Sequence, residues 1–246
     1  MKIHVLGFWG TYPGPGEATT GFLVETDHKK ILLDCGSGVL AQLQKICSVE
    51  ELDAVIVTHH HHDHVADLGV LGYAMLLARL TGARQHKLPM YMPLSPSPTV
   101  DGLQNEPLID VMFIDDTTVL DVDGWQVTFA PTVHPVPCFA VRFEKNGQSF
   151  VFSADTSWAD SLVRHAEGAD LFICEASMYA GQEENARNAG HLTSVQAGKL
   201  AKDAGVKRLA LTHYPHYGDW KDLFLQAEDS FGNTVDKLDT LQVIHL

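Results

Sequence analysis

The sequence predicts an α+β domain in which two mixed sheets carry helices on their outer faces. Three observations lead there. Hydrophobic residues make up 45% of the 246 positions and charged residues 20%, a balance that can bury a core and that a disordered chain lacks. A dozen short segments are rich in β-branched or aromatic residues and bounded by Gly, Asp, Asn or Pro. Single helical stretches interleave with those strands, the pattern of sheets covered by helices.

In chain order, strands are expected over residues 2–6, 22–25, 30–34, 54–58, 90–92, 111–114, 125–131, 139–143, 149–153, 171–175, 208–212 and 242–245. Between the eighth and ninth, Lys145-Asn146-Gly147-Gln148 reads as a hairpin turn, with Asn-Gly supplying positive φ. Helices are expected over 38–47, 65–80, 157–166, 194–204 and 220–231. The fourth is the clearest: Ala197, Leu200, Ala201 and Ala204 share one face, and Thr193 with Gln196 forms a capping box at its start. The second is apolar nearly all round, which predicts a helix sandwiched on both sides. Residues 93–107 hold four prolines and read as a surface loop with room for a short helix. No repeat or long linker divides the chain, so one domain is expected over 1–246.

Charge and cysteine usage exclude several classes. Lys plus Arg total 17 and Asp plus Glu 31, a net charge of −14 that opposes a polyanionic partner. The start of the chain lacks the long apolar core of an export signal, and the most apolar internal stretch, 68–78, is too short for a bilayer. The four cysteines are far apart and form no CxxC pair, which argues against a thiolate zinc knot or a disulfide framework and fits a reducing cytoplasm.

The chemistry concentrates in Thr58-His59-His60-His61-His62-Asp63-His64, which holds five of the 14 histidines directly after a buried-looking strand. Residues i and i+2 of extended chain point the same way, so His59 and His61 can grip one metal ion. Asp63 and His64 follow as the chain turns into a helix and can reach a second. Only the His59/His61 register places an Asp two residues on with a His beside it. Imidazole with carboxylate suits zinc, with manganese or iron as alternatives.

This segment resembles the hallmark HxHxDH motif of the metallo-β-lactamase fold hydrolases, and the resemblance covers essentially the whole chain. It implies a four-layer αββα sandwich and a two-metal centre. His134, Asp155 and His213 match the later ligands, each at a strand end. Taken alone, His134 reads more readily as a loop histidine among prolines, and Asp155 as a cap for the helix over 157–166. The matched set implies that His59, His61 and His134 hold one divalent cation, that Asp63, His64 and His213 hold the other, and that Asp155 bridges them. Asp63 is thereby placed among the catalytic groups. Asp34 matches the carboxylate that orients a ligand histidine. Two divalent cations sharing a water would generate hydroxide at pH 7.

Within the superfamily, the sequence is similar to the ribonuclease Z branch and its smaller phosphodiesterase relatives. His191, in Gly190-His191-Leu192-Thr193, and Glu175 match a pair in which the His protonates the leaving oxygen and the Glu orients it. The glycine-rich start, Val5 to Gly14, also looks like that branch. The long arm with which ribonuclease Z grips transfer RNA is replaced here by a short hairpin between 139–143 and 149–153, which argues against transfer RNA. The expected activity is hydrolysis of a phosphodiester in a small-molecule or nucleotide-like substrate. A thioester or lactone hydrolase using the same metals is the alternative. The resemblance also leaves a homodimer open.

Overall fold

The computed structural model describes residues 1–95, 98–104 and 107–246. The strands are β1 (Lys2–Gly7), β2 (Gly21–Glu25), β3 (Lys30–Leu33), β4 (Ala54–Ile56), β5 (Leu88–Pro93), β6 (Ile109–Ile114), β7 (Val119–Val122), β8 (Trp125–Pro131), β9 (Phe139–Lys145), β10 (Gln148–Phe152), β11 (Leu171–Glu175), β12 (Leu209–Thr212), β13 (Val235–Asp236) and β14 (Val243–His245). The helices are α1 (Val39–Leu43), α2 (His62–Val65), α3 (Leu68–Leu80), α4 (Pro98–Gln104), α5 (Asp160–His165), α6 (Glu183–Ala189), α7 (Ser194–Asp203) and α8 (Trp220–Phe231). The chain forms two compact units, Met1–Ile114 with Asp239–His245, and Asp115–Leu238.

The first unit is a seven-stranded sheet in the order β14-β1-β2-β3-β4-β5-β6. Its first four strands pair antiparallel, and β3 to β6 pair parallel. Leu6, Leu23, Leu32, Val55 and Met90 from the strands form one buried cluster with Val39 and Leu43 of α1 and Leu71 and Met75 of α3. Burial of such side chains is the main favourable term in folding.

The second unit repeats the plan. Its sheet runs β13-β12-β11-β10-β9-β8-β7, with β7 to β10 an antiparallel meander and β10 to β13 parallel. Asn146 and Gly147 both take positive φ, as an Asn-Gly hairpin turn requires. Helices α5, α7 and α8 pack against this sheet or one another. The Thr193–Gln196 capping box opens α7 as expected.

Three expectations need correction. Helix α3 is not sandwiched: Leu68, Leu71, Gly72, Met75 and Ala78 are buried, while Val70, Tyr73, Leu77 and Leu80 on the other side are 59–75% exposed. One apolar stripe suffices to dock a helix, and the sequence cannot show which apolar face is covered. The strand expected over 54–58 leaves its ladder after Ile56, because the Thr58 amide turns to the Asp34 carboxylate (2.7 Å). The helix expected over 157–166 starts at Asp160, because the Ser157 amide pairs with the Val133 carbonyl (2.8 Å). In the proline-rich stretch 93–107, α4 supplies the short helix, while residues 96, 97, 105 and 106 of that expected loop lie outside the described residues. Among the described residues, no helix is long and apolar enough to cross a membrane.

Candidate metal centre

Both sheets gather titratable side chains at the carboxyl ends of their parallel strands, the usual place for ligands on such sheets. In the first unit, Asp34 directly follows β3, and the histidine run follows β4. Asp34 is fully buried and accepts from the Thr58 amide (2.7 Å) and hydroxyl (2.8 Å), with His64 Nδ1 at 2.7 Å from its second oxygen. The Thr58 hydroxyl thus spends its proton on Asp34, leaving it as acceptor for His59 Nδ1 (3.1 Å). With Nδ1 donating in these contacts, Nε2 of His59 and of His64 is the lone-pair nitrogen, the usual result of carboxylate and hydroxyl partners behind ligand histidines.

His59 Nε2 and His61 Nδ1 converge to 3.2 Å. Two vertices of a zinc tetrahedron with bonds of about 2.1 Å lie about 3.4 Å apart, so the pair fits one cation. His60 instead faces the Pro93 carbonyl (2.9 Å), and His62 is exposed. Asp63 lies in the first turn of α2, its Oδ2 3.9 Å from His64 Nε2 and accepting from the Thr11 amide (2.9 Å). Gly36 makes this approach possible: a Cβ there would sit 2.0 Å from the Asp63 carbonyl oxygen.

In the second unit, Asp155 follows β10, Glu175 ends β11, His213 follows β12, and His134 follows β8. Asp155 Oδ2 lies 3.4 Å from His213 Nε2 and 4.0 Å from His134 Nε2. His134 donates from Nδ1 to the Gly190 carbonyl (2.9 Å), which again leaves Nε2 for a ligand role. Burial pushes the His134 imidazole below its ordinary pKa, against the pull of Asp155, and so favours the neutral form that metals require. Asp155 does not cap α5, whose N-cap is Ala159. The donor types present, imidazoles and carboxylates, are those that divalent cations take.

Glu175 is fully buried and accepts four hydrogen bonds: from the Thr156 amide (2.7 Å), His191 Nδ1 (3.0 Å), the Ser177 hydroxyl (2.6 Å) and the Leu192 amide (3.2 Å). Its lone pairs are thus occupied, which suits an orienting group better than a metal ligand. His191 and His213 stack with ring centroids 5.1 Å apart. Asp34, Ala154 and His213 take φ of 58°, 53° and 58°, left-handed conformations that non-glycine residues adopt at a cost and that collect at functional sites. Sequence reasoning missed Thr58, Gly190 and Ser177. Their signal was only adjacency: one residue before His59, one before His191, two after Glu175. The four cysteines are free and buried, and burial pushes the Cys35 and Cys174 thiols well up, so they stay protonated.

The sequence matches the family described as the β-lactamase superfamily domain over residues 29–214. The chain belongs to the metallo-β-lactamase superfamily. Within it, the chain is 36% identical to the probable metallo-hydrolase YhfI of Bacillus subtilis over 236 residues, 96% of each protein. The crystal structure of YhfI, a metallo-β-lactamase fold protein, superposes with a TM-score of 0.92 over 99% of this chain and 98% of that one, at 35% identity. The two seven-stranded mixed sheets with their helices are thus those of the metallo-β-lactamase fold. Ribonuclease Z of Treponema denticola is 23% identical over 307 aligned positions, covering 99% of this chain and 97% of that protein.

Proposed function

We propose that this metallo-hydrolase cleaves a phosphodiester in a small or nucleotide-like substrate, with His191 as the general acid. The observation that carries the reading is the 3.0 Å contact between His191 Nδ1 and Glu175 Oε1, with Glu175 fixed by three further hydrogen bonds. An alkoxide is a poor leaving group and needs a proton in the transition state. Glu175 accepts from Nδ1 and so orients the ring, with Nε2 as the nitrogen that would carry that proton. A thioester or lactone gains less from such an acid.

In this reading His59, His61 and His134 hold one divalent cation, Asp63, His64 and His213 hold the second, and Asp155 bridges. Two zinc ions bound there would lower the pKa of a water and neutralise charge on the reacting oxygens. Asp34, Thr58 and Gly190 hold the ligand rings, and Asp63 is fixed by the Thr11 amide. The ribonuclease Z of Treponema denticola supports phosphodiester chemistry. Its alignment runs over 307 positions against 246 residues here, so that protein carries extra chain. The shorter chain and net charge of −14 favour a small substrate over transfer RNA.

The test compares zinc-loaded parent and His191→Ala on bis(p-nitrophenyl) phosphate and on a cyclic nucleotide, with metal content measured in each sample. Nitrophenolate leaves without a proton and alkoxide does not, so the variant should lose at least tenfold on the cyclic nucleotide and much less on the nitrophenyl ester. Fully metallated parent that turns over neither phosphodiester, but cleaves a thioester or lactone regardless of His191, overturns the reading in favour of ester hydrolysis.

A further inference from the structure

Glu175 anchors more than His191. The Ser177 hydroxyl, half-buried two residues along the chain, lies 2.6 Å from Glu175 Oε2, 2.7 Å from His213 Nδ1 and 3.3 Å from His191 Nδ1. A hydroxyl has one proton, and a carboxylate can only accept, so that proton goes to Glu175. The serine oxygen then faces His213 with lone pairs, and only an N–H can meet it at 2.7 Å. His213 must therefore carry its proton on Nδ1. Its Nε2 presents a lone pair toward Asp155 Oδ2, 3.4 Å away, and a cation between these two acceptors would satisfy both.

We propose that Ser177 is a positioning residue: one hydroxyl ties the imidazoles of His213 and His191 to the single buried carboxylate of Glu175. The inference rests on the reading above, in which His213 is a metal ligand and His191 the acid. It adds that the two are not placed independently. The chain Glu175–Ser177–His213 fixes which nitrogen of His213 is left for metal, and the 3.3 Å contact limits rotation of the His191 ring beside it. Backbone strain makes such a brace useful. His213 sits at φ 58° directly after β12, a conformation that costs energy and persists only where surrounding contacts hold it.

The test uses the full chain with Ser177→Ala and Ser177→Thr, the second keeping the hydroxyl. Imidazole tautomers are read by long-range ¹H–¹⁵N correlation on metal-free protein, zinc affinity by chelator competition, and turnover on the cyclic nucleotide. His213 should be Nδ1-protonated in parent and Ser177→Thr and a tautomer mixture in Ser177→Ala. Zinc affinity should fall about 10- to 100-fold in Ser177→Ala alone. kcat should fall at least tenfold in Ser177→Ala with KM within twofold. An unchanged tautomer with zinc affinity within twofold of parent overturns the proposal. If Ser177→Ala does not fold, the parent spectrum decides: His213 protonated at Nε2 overturns it. The tautomer and zinc readouts need no substrate. Failure of the phosphodiester reading therefore shows only in turnover, and failure of the Ser177 role shows in the other two.

Discussion

Asp34 Oδ2 sits 2.7 Å from His64 Nδ1, and both side chains are entirely shielded from solvent. The same carboxylate takes the Thr58 amide and hydroxyl, so one acid organises three donors. Asp34→Ala would leave those buried donors without their acceptor. It should lower unfolding free energy by about 2–4 kcal/mol and weaken zinc binding about 10- to 100-fold. Urea denaturation and chelator competition measure the two effects, and a variant as stable as parent would show that Asp34 does not organise this corner.

Gly190→Ala probes the second unit. Gly190 has φ 82°, and a Cβ there would lie 2.5 Å from Pro135 Cδ and 2.7 Å from His134 Nδ1. The left-handed backbone alone costs an L-residue about 1–2 kcal/mol, and the clash adds to it. The variant should lose stability by at least that much and bind zinc more weakly, because the Gly190 carbonyl holds His134. Thermal melting with and without chelator should show a smaller metal-dependent shift than in parent.

His165 should make stability depend on pH. Burial, with help from nearby Arg142, lowers its pKa to about 4. An unfolded histidine titrates near 6.5, so folded His165 resists protonation. The resulting stability is fully present above pH about 6.5 and is lost as pH falls toward 4. The cost at the acid end is of order 3 kcal/mol. Between pH 7 and 4, His165→Gln should flatten the fall of unfolding free energy relative to parent. Parallel curves for the two proteins would contradict this assignment.

The two faces of α3 should respond differently. Leu71 is fully buried, and Leu71→Ala should cost about 2–4 kcal/mol. Leu77 is 63% exposed, and Leu77→Lys should change stability by less than about 0.5 kcal/mol. Denaturant midpoints of the two variants decide it; a Leu77→Lys loss as large as that of Leu71→Ala would mean this face is covered.

Where hydrophobic patterning was strong, the sequence was readable. The strands over 125–131 and 171–175 and the helix over 220–231 form at the expected bounds. Helix α6, EENARNA, was missed because only Ala186 is buried, leaving no apolar period to detect. Strand β7 was missed because it lies at a sheet edge with no residue fully buried. In the site, the histidine run was legible because metal ligation demands particular residues at fixed spacing. Ser177 was not, because a serine beside a strand end has many ordinary uses. Its importance rests on tertiary distances to Glu175 and His213.

The left-handed kink at His213 bears on how this chain can evolve. It marks a place where the backbone would relax if glycine or asparagine replaced the histidine. Selection for heat tolerance alone would therefore press on a position that selection for turnover must defend. Libraries screened only for melting temperature should accumulate inactive survivors with substitutions there, and a dual screen should reject them.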